Sequence, residues 1–176
     1  DALVSFCTEL AELSRGIIRS HPIQDMGHEI KVDGSPVTPV DREVEQRLRE
    51  RIDARYPYHG ILGEEFPNRD TDAERVWVID PIDGTKLFIS GIPLFGTLIA
   101  LAHNGKPVLG VMDQPITGER WVGAPNATGD GTGDGTASLN GAAIGTSDVT
   151  DLAKAKLFTT STGYYDEAQL QGFQRL

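Results

Sequence analysis

One cysteine, Cys7, stands in a chain of 176 residues, so no internal disulfide can form and a thiolate metal centre is excluded. No run of residues is long and apolar enough to cross a bilayer as a helix. Positive charge is scarce: 16 Lys and Arg stand against 26 Asp and Glu, a formal net charge of −10. That balance argues against nucleic acid or an anionic membrane surface as the main partner. Imidazole is scarce as well. His21, His28 and His59 have no partner at ligand spacing, and His103 beside Asn104-Gly105 reads as a turn residue, so no imidazole chemistry is assigned. The start of the chain lacks the basic and apolar regions of a secretory leader, and a cytoplasmic location is expected. It opens at Asp1 rather than Met, which is expected to reflect trimming.

What is present is a globular composition, 39% hydrophobic and 24% charged, enough to bury one sizeable core. Leu3, Phe6, Cys7, Leu10, Leu13 (or Ser14), Ile17 and Ile18 recur at helical spacing and predict an amphipathic helix over 2–20, ended by Pro22. Cys7 lies on its apolar face as core. The polar segment from Gln24 to Pro36 reads as a loop, with Lys31 a solvated residue within it. Thr38-Pro39-Val40-Asp41 is a helix start: a Thr N-cap, Pro at the first position, and an acid placed to complete a capping box. Val40, Val44, Leu48 and Ile52 continue as an apolar stripe to Tyr56-Pro57.

Ile61 to Phe66 reads as a short strand that ends in two acids, Glu64 and Glu65, of which alternation should turn only one towards a site. Val76 to Ile79 is a second, buried strand that delivers Asp80. Pro81 and Ile82 follow, then Asp83. A tight helical turn would bring the carboxylates of Asp80 and Asp83 to one side. Gly84 and Thr85 open another helical turn, whose free N–H groups suit an anion. Cation ligands beside an anion cradle point to metal-assisted chemistry on a phosphate.

Strands are then predicted over Phe95–Ala102, Val108–Asp113 and Arg120–Gly123, the first two joined by the strong hairpin signal Asn104-Gly105. Residues 129–136 (Gly-Asp-Gly-Thr twice) superficially match a calcium-binding repeat but read better as a hairpin tip. Leu139-Asn140-Gly141 is another tight turn. A further strand over Leu157–Thr160 and a helix from near Asp166 are expected before the chain stops at Leu176.

The string Asp80-Pro81-Ile82-Asp83-Gly84-Thr85 resembles the central motif of the inositol monophosphatase family of magnesium-dependent, lithium-sensitive phosphatases. The run through Lys86-Leu87-Phe88-Ile89-Ser90-Gly91, Pro93-Leu94-Phe95-Gly96-Thr97 and Asp113-Gln114-Pro115 is similar to the histidinol-phosphatase branch, apart from Leu87 where that branch has a serine. The resemblance implies a layered α/β fold, an αβαβα sandwich in which two helices cover a largely antiparallel sheet. Residues 1–155 would form its metal-binding first layer, and 156–176 the start of a second, truncated layer. The family's W-D motif, whose aspartate completes the metal site, has no counterpart, since Trp77 and Trp121 precede Val78 and Val122. An incomplete chain is therefore expected.

By the same resemblance Glu64, Asp80, Asp83 and the main-chain carbonyl of Ile82 would surround two or three Mg²⁺ ions. Gly84 and Thr85 would hold phosphate oxygens. Asp41 and Thr85 would orient the attacking water, making Asp41, Thr85 and Glu64 the catalytic candidates, with Lys31 and Lys86 as further site candidates. Glu65 would lie behind the site or in solvent. The implied partner is a small phosphorylated metabolite, L-histidinol phosphate of histidine biosynthesis, handled by a homodimer when the chain is complete. Charge supports the metal. Three carboxylates and a phosphomonoester of roughly −1.5 to −2 repel one another unless divalent cations lie between them. The alternatives are an inositol-1-monophosphatase or broad sugar or nucleotide phosphatase of the same family, an inactive phosphate- or metal-binding paralogue, and a calcium-binding surface module built on the Gly-Asp loop.

Overall fold

The computed structural model of the chain describes residues 2–21, 27–124, 135–159, 161–163 and 165–175. Residues 1–144 form one compact unit and 145–176 a second, smaller one, whereas the layers expected from sequence divide at 155/156.

The first helix, α1 (Ala2–Ser20), buries Phe6, Cys7, Leu10, Ala11 and Ile18. Where the spacing allowed Leu13 or Ser14, it is Ser14 that is buried. Its hydroxyl lies 2.5 Å from Thr97 Oγ1, and Thr97 in turn donates to the carbonyl of Pro81 at 2.8 Å. A hydroxyl has one proton, so Ser14 donates to Thr97. Pro22 lies outside the described residues.

The segment expected to be a plain loop contains a two-stranded ribbon, β1 (Glu29–Ile30) antiparallel to β2 (Pro36–Val37); residues 24–26 lie outside the described residues. Helix α2 (Pro39–Arg55) begins as its sequence predicts. Thr38 is the N-cap, with its hydroxyl accepting from the backbone of Val40 and Asp41, and Asp41 reaches back to the Thr38 N–H to close the capping box. Val40, Val44, Leu48 and Ile52 are all buried.

The sheet of the larger unit has seven strands: β3 (Gly60–Gly63), β4 (Arg75–Asp83), β5 (Gly96–His103), β6 (Lys106–Gln114), β7 (Glu119–Ala124), β8 (Thr136–Leu139) and β9 (Ala142–Ala143), in sequential order. β3 and β4 run parallel, and every other neighbouring pair is antiparallel. Alternation decides what is buried. Trp77, Ile79, Ile99, Leu101, Leu109 and Val111 join the apolar stripes of α1 and α2 in one core, whereas Val78, Leu98 and Ala100 between them are only half-buried. Asn104 and Gly105 (φ 49° and 75°), and again Asn140 and Gly141 (φ 49° and 82°), supply the paired left-handed residues of tight hairpin turns. Most of the Gly-Asp stretch 129–136 lies outside the described residues, but Thr136 pairs with Ala124.

The strand expected over Leu157–Thr160 is not formed at 157–159, and Thr160 lies outside the described residues. A strand persists only with a neighbour to complete its ladder, and the described residues of the smaller unit include no strand. The helix near Asp166 is present as α4 (Glu167–Gln174), capped by Asp166 and Gln169 through reciprocal bonds of 2.8 and 3.0 Å.

Candidate functional site

The motif Asp80-Pro81-Ile82-Asp83 is not the helical turn its i, i+3 spacing suggests. β4 runs on to Asp83, and the two carboxylates come to one face by another device. Asp80 pairs with Leu98 and Asp83 with Gly96, so Pro81 and Ile82 together oppose Thr97 alone. This is a β-bulge, and its extra residue restores the parity that a three-residue step along a strand would break. Partners two apart on β5 share a face, and so do Asp80 and Asp83. The Thr97 hydroxyl bound to the Pro81 carbonyl pins the bulge from beneath.

Asp80 is the focus of the charge. Its carboxyl is pushed up from 3.8 to about 8, first by burial, then by the carboxylate of Glu64, a hydrogen bond with Glu64, and the carboxylates of Asp83 and Asp41. One of its oxygens, Oδ1, is buried with no hydrogen-bond partner. Asp83 is exposed at the end of the strand.

Glu64 and Glu65 follow the end of β3 at Gly63 and lie in a bend, so the alternation expected for a strand does not sort them. Both reach the Lys31 ammonium, Glu64 Oε1 at 2.9 Å and Glu65 Oε1 at 2.7 Å. Lys31 is therefore an ion-paired residue and not a solvated one. Burial alone would lower its pKa, but the hydrogen bonds to Glu65 and Glu64 outweigh it and the pKa rises. The side chain of Glu65 is 4% exposed, and burial holds its carboxyl above the usual range. This burial excludes solvent, one of the two positions expected for Glu65.

Asp41 has both of its expected neighbours. Oδ2 accepts from the Thr38 backbone at 2.8 Å and the Thr38 hydroxyl at 2.5 Å, while Oδ1 faces the Thr85 hydroxyl at 3.4 Å. Burial raises its pKa against the opposing pull of these bonds. Thr85 also donates to the carbonyl of Ile82 at 3.0 Å, so the hydroxyl sits between the two oxygens. Gly84 is the N-cap of the short helix α3 (Thr85–Ile89) and is left-handed, at φ 92°. A side chain there would be strained, and its Cβ would meet the Leu94 carbonyl at 3.1 Å. Lys86 lies exposed on α3.

The structure thus brings Asp41, Glu64, Asp80, Asp83 and Thr85 into one region and adds Lys31. Among the described residues, no three His, Cys, Asp or Glu side chains converge to enclose a metal ion, Glu64 being engaged by Lys31 and Asp80. The chemistry of the donors still fits a hard cation. All are oxygens, one carboxylate oxygen is buried without a partner, and burial together with the neighbouring carboxylates keeps Asp80 a poor anion in the absence of added positive charge.

Sequence reasoning passed over Glu45, which is fully buried and holds the Glu64–Phe66 bend through its backbone. Its signal was available. Asp41, Glu45 and Arg49 follow at four-residue steps, alongside the apolar stripe of α2.

The family model described as the inositol monophosphatase family matches residues 2–174. The Arabidopsis thaliana protein named bifunctional phosphatase IMPL2, chloroplastic, is 40% identical over 178 aligned residues, covering 100% of this chain and 49% of the relative. The histidinol-phosphatase of Mycobacterium tuberculosis is 39% identical over 141 residues, covering 80% of this chain and 53% of its own. Among solved structures, an inositol monophosphatase from Zymomonas mobilis superposes with a TM-score of 0.63 at 42% identity, over 82% of this chain and 52% of that one. The chain spans about half the length of these relatives.

Proposed function

The chain belongs to the inositol monophosphatase family, and from that premise we propose that the full-length protein is a magnesium-dependent phosphomonoesterase that hydrolyses L-histidinol phosphate to L-histidinol and phosphate. The observation that carries the chemistry is Asp80: a half-buried carboxylate whose Oδ1 is buried without a partner, set among Glu64, Asp83 and Asp41. Such a group is costly in a fold unless a cation completes it.

Glu64, Asp80, Asp83 and the Ile82 carbonyl are the residues that would hold Mg²⁺. When bound, Mg²⁺ would acidify water and neutralise the charge that develops on the phosphoryl group and the leaving oxygen. The remaining steps belong to the chain. The Gly84–Thr85 turn offers backbone N–H groups to phosphate oxygens. The Thr85 hydroxyl turns its proton towards Asp41 and leaves a lone pair to accept from a water aligned with phosphorus. Asp41, whose burial favours the protonated form, is placed to receive the proton through Thr85. Water attacks in line, the P–O bond to the alcohol breaks, and no covalent phosphoenzyme intervenes. Lys86 on α3 and Lys31, once released from Glu64, would add positive charge at the phosphate.

The branch assignment rests on the string from Lys86 to Thr97 and on relatives named histidinol-phosphatase, in Mycobacterium tuberculosis at 39% identity among them. The Zymomonas mobilis neighbour, an inositol monophosphatase at 42%, favours the second reading, an inositol or broad-specificity phosphatase. A cytoplasmic homodimer is the working state expected for either.

Phosphate release by the full-length protein from L-histidinol phosphate and from inositol 1-phosphate, with Mg²⁺ or with EDTA, decides between them. We expect kcat/KM for histidinol phosphate to be at least ~10-fold higher, about 1.4 kcal/mol of discrimination, and no turnover in EDTA. An equal or inverted ratio would select the inositol or broad-specificity reading, and turnover surviving EDTA would defeat the metal assignment.

A further inference from the structure

The bend that carries Glu64 has little regular structure of its own. β3 ends at Gly63, and Glu64, Glu65 and Phe66 neither pair with a strand nor enter a helix. Their three N–H groups and the Phe66 carbonyl are met by two side chains of α2. Glu45 Oε2 accepts from the N–H of Glu64 at 3.0 Å and of Glu65 at 2.7 Å, and Oε1 accepts from the N–H of Phe66 at 3.3 Å. Arg49 donates from Nε to Glu45 Oε1 at 2.8 Å and from Nη2 to the Phe66 carbonyl at 3.1 Å. Glu45 is 0% exposed. The approach depends on Gly63, since a Cβ there would lie 2.0 Å from Glu45 Oε1.

A buried carboxylate with three N–H donors and a guanidinium has its charge matched locally, so Glu45 adds little repulsion to the acids nearby. Its position on a helix packed into the core fixes three consecutive amides relative to α2. The same helix carries Asp41 one turn earlier, which puts Asp41 and the Glu64 bend in one rigid frame.

Resting on the phosphatase reading above, we propose that Glu45 is the positioning residue of the Glu64–Phe66 bend and that it sets the affinity of the site for Mg²⁺ by holding the Glu64 carboxylate in place. Glu45 touches neither the reacting atoms nor the cation. It acts through the backbone, with Arg49 holding its carboxylate and Gly63 admitting it.

The test uses the full-length protein with Glu45→Gln and, independently, Gly63→Ala, which leaves the acid in place but denies it its approach. Two quantities are read on metal-free protein: hydrogen exchange at the amides of residues 64–66, and Mg²⁺ affinity by calorimetric titration. Both variants are expected to speed exchange at these amides at least ~10-fold and to weaken Mg²⁺ binding about 10-fold, the usual range for losing a group that orients a ligand. Turnover should fall at low Mg²⁺ and recover most of its kcat at saturating Mg²⁺. A general loss of fold would instead lower kcat at every Mg²⁺ concentration and move the unfolding transition. If Glu45→Gln fails to fold, Gly63→Ala carries the test. Wild-type exchange in a folded variant, or faster exchange with unchanged Mg²⁺ affinity, would overturn the proposal. Should the unmutated protein bind no Mg²⁺ and hydrolyse no phosphomonoester, it is the phosphatase reading that fails, and the exchange data still report whether Glu45 holds the bend.

Discussion

Two aspartates on strands of the same sheet, Asp113 on β6 and Asp80 on β4, are handled in opposite ways. Asp113 is 0% exposed and surrounded by positive charge. Arg15 grips both of its oxygens, at 2.6 and 2.9 Å, and Arg120 adds a contact at 2.6 Å before reaching on to Glu12 at 2.7 Å. The ring ties α1 to β6 and β7 and leaves the carboxylate of Asp113 fully engaged. Asp80 is surrounded by its own kind, with Glu64, Asp83 and Asp41 nearby and one oxygen unpartnered. A fold that gives one carboxylate its counter-charges and leaves another, half-buried, without them fits the proposal that a cation completes the second. Glu45 belongs with Asp113 in this respect, since Arg49 and three amides meet it.

The sharpest break of this contrast is Asp113→Asn. It strands the largely buried guanidinium of Arg15 and leaves that of Arg120 with Glu12 alone, and chemical unfolding should show a loss of about 3–5 kcal/mol, the range for removing one partner of a buried ion pair. Stability within 1 kcal/mol of wild type, by that ~3–5 scale, would show the ring to be ornamental. Asp80→Asn should do the reverse. Steady-state kinetics of the full-length protein are expected to lose at least ~100-fold in kcat, about 2.7 kcal/mol of transition-state stabilisation, while the protein stays folded. Near-normal turnover by a folded Asp80→Asn protein would remove Asp80 from the chemistry.

The smallest effect sharpens the comparison through pH. Asp80 titrates near 3.8 when unfolded and at about 8 in the folded, metal-free chain, so the folded state favours its protonated form. Its stabilising contribution is complete below pH ~4 and is lost as pH rises towards ~8. Since the side chain is only partly buried, the loss should be about 1–2 kcal/mol, less than the full shift would suggest. Melting curves in EDTA from pH 4 to 8 should therefore fall more steeply for wild type than for Asp80→Asn, and added Mg²⁺ should close the gap by stabilising only the wild type. Parallel curves in EDTA would mean that neither burial nor the neighbouring carboxylates burden Asp80.

Much of this was legible in the chain. The stripes of α1 and α2, the Thr38–Asp41 cap and the Asn-Gly hairpins follow from local rules, because periodicity, capping and left-handed turns are written within a few adjacent residues. The acids of the site could be named from the string Asp80 to Thr85 and from the strand end before Glu64. What could not be read was long-range. Lys31 looked solvated because its partners lie 33 and 34 residues away. Glu65 could not be told from a surface acid until the Lys31 contact was seen. Ser14 was ambiguous because its partner Thr97 is 83 residues distant. The 157–159 stretch has an apolar, strand-like sequence and no described strand beside it in its own unit, and periodicity does not report on a missing neighbour.

The bulge between Asp80 and Asp83 makes the length of the strand opposite as decisive as the composition of the motif. Substitutions at Pro81 or Ile82 would alter contacts by degrees. Lengthening β5 by one residue opposite the bulge is a different event: Pro81 and Ile82 would then be paired one to one, and the three-residue step from Asp80 would turn Asp83 to the opposite face. An alignment that scored only the motif would call such a sequence intact. Within this family, a relative with one extra residue opposite the motif, beside the position of Thr97, has lost the arrangement while keeping the motif's letters.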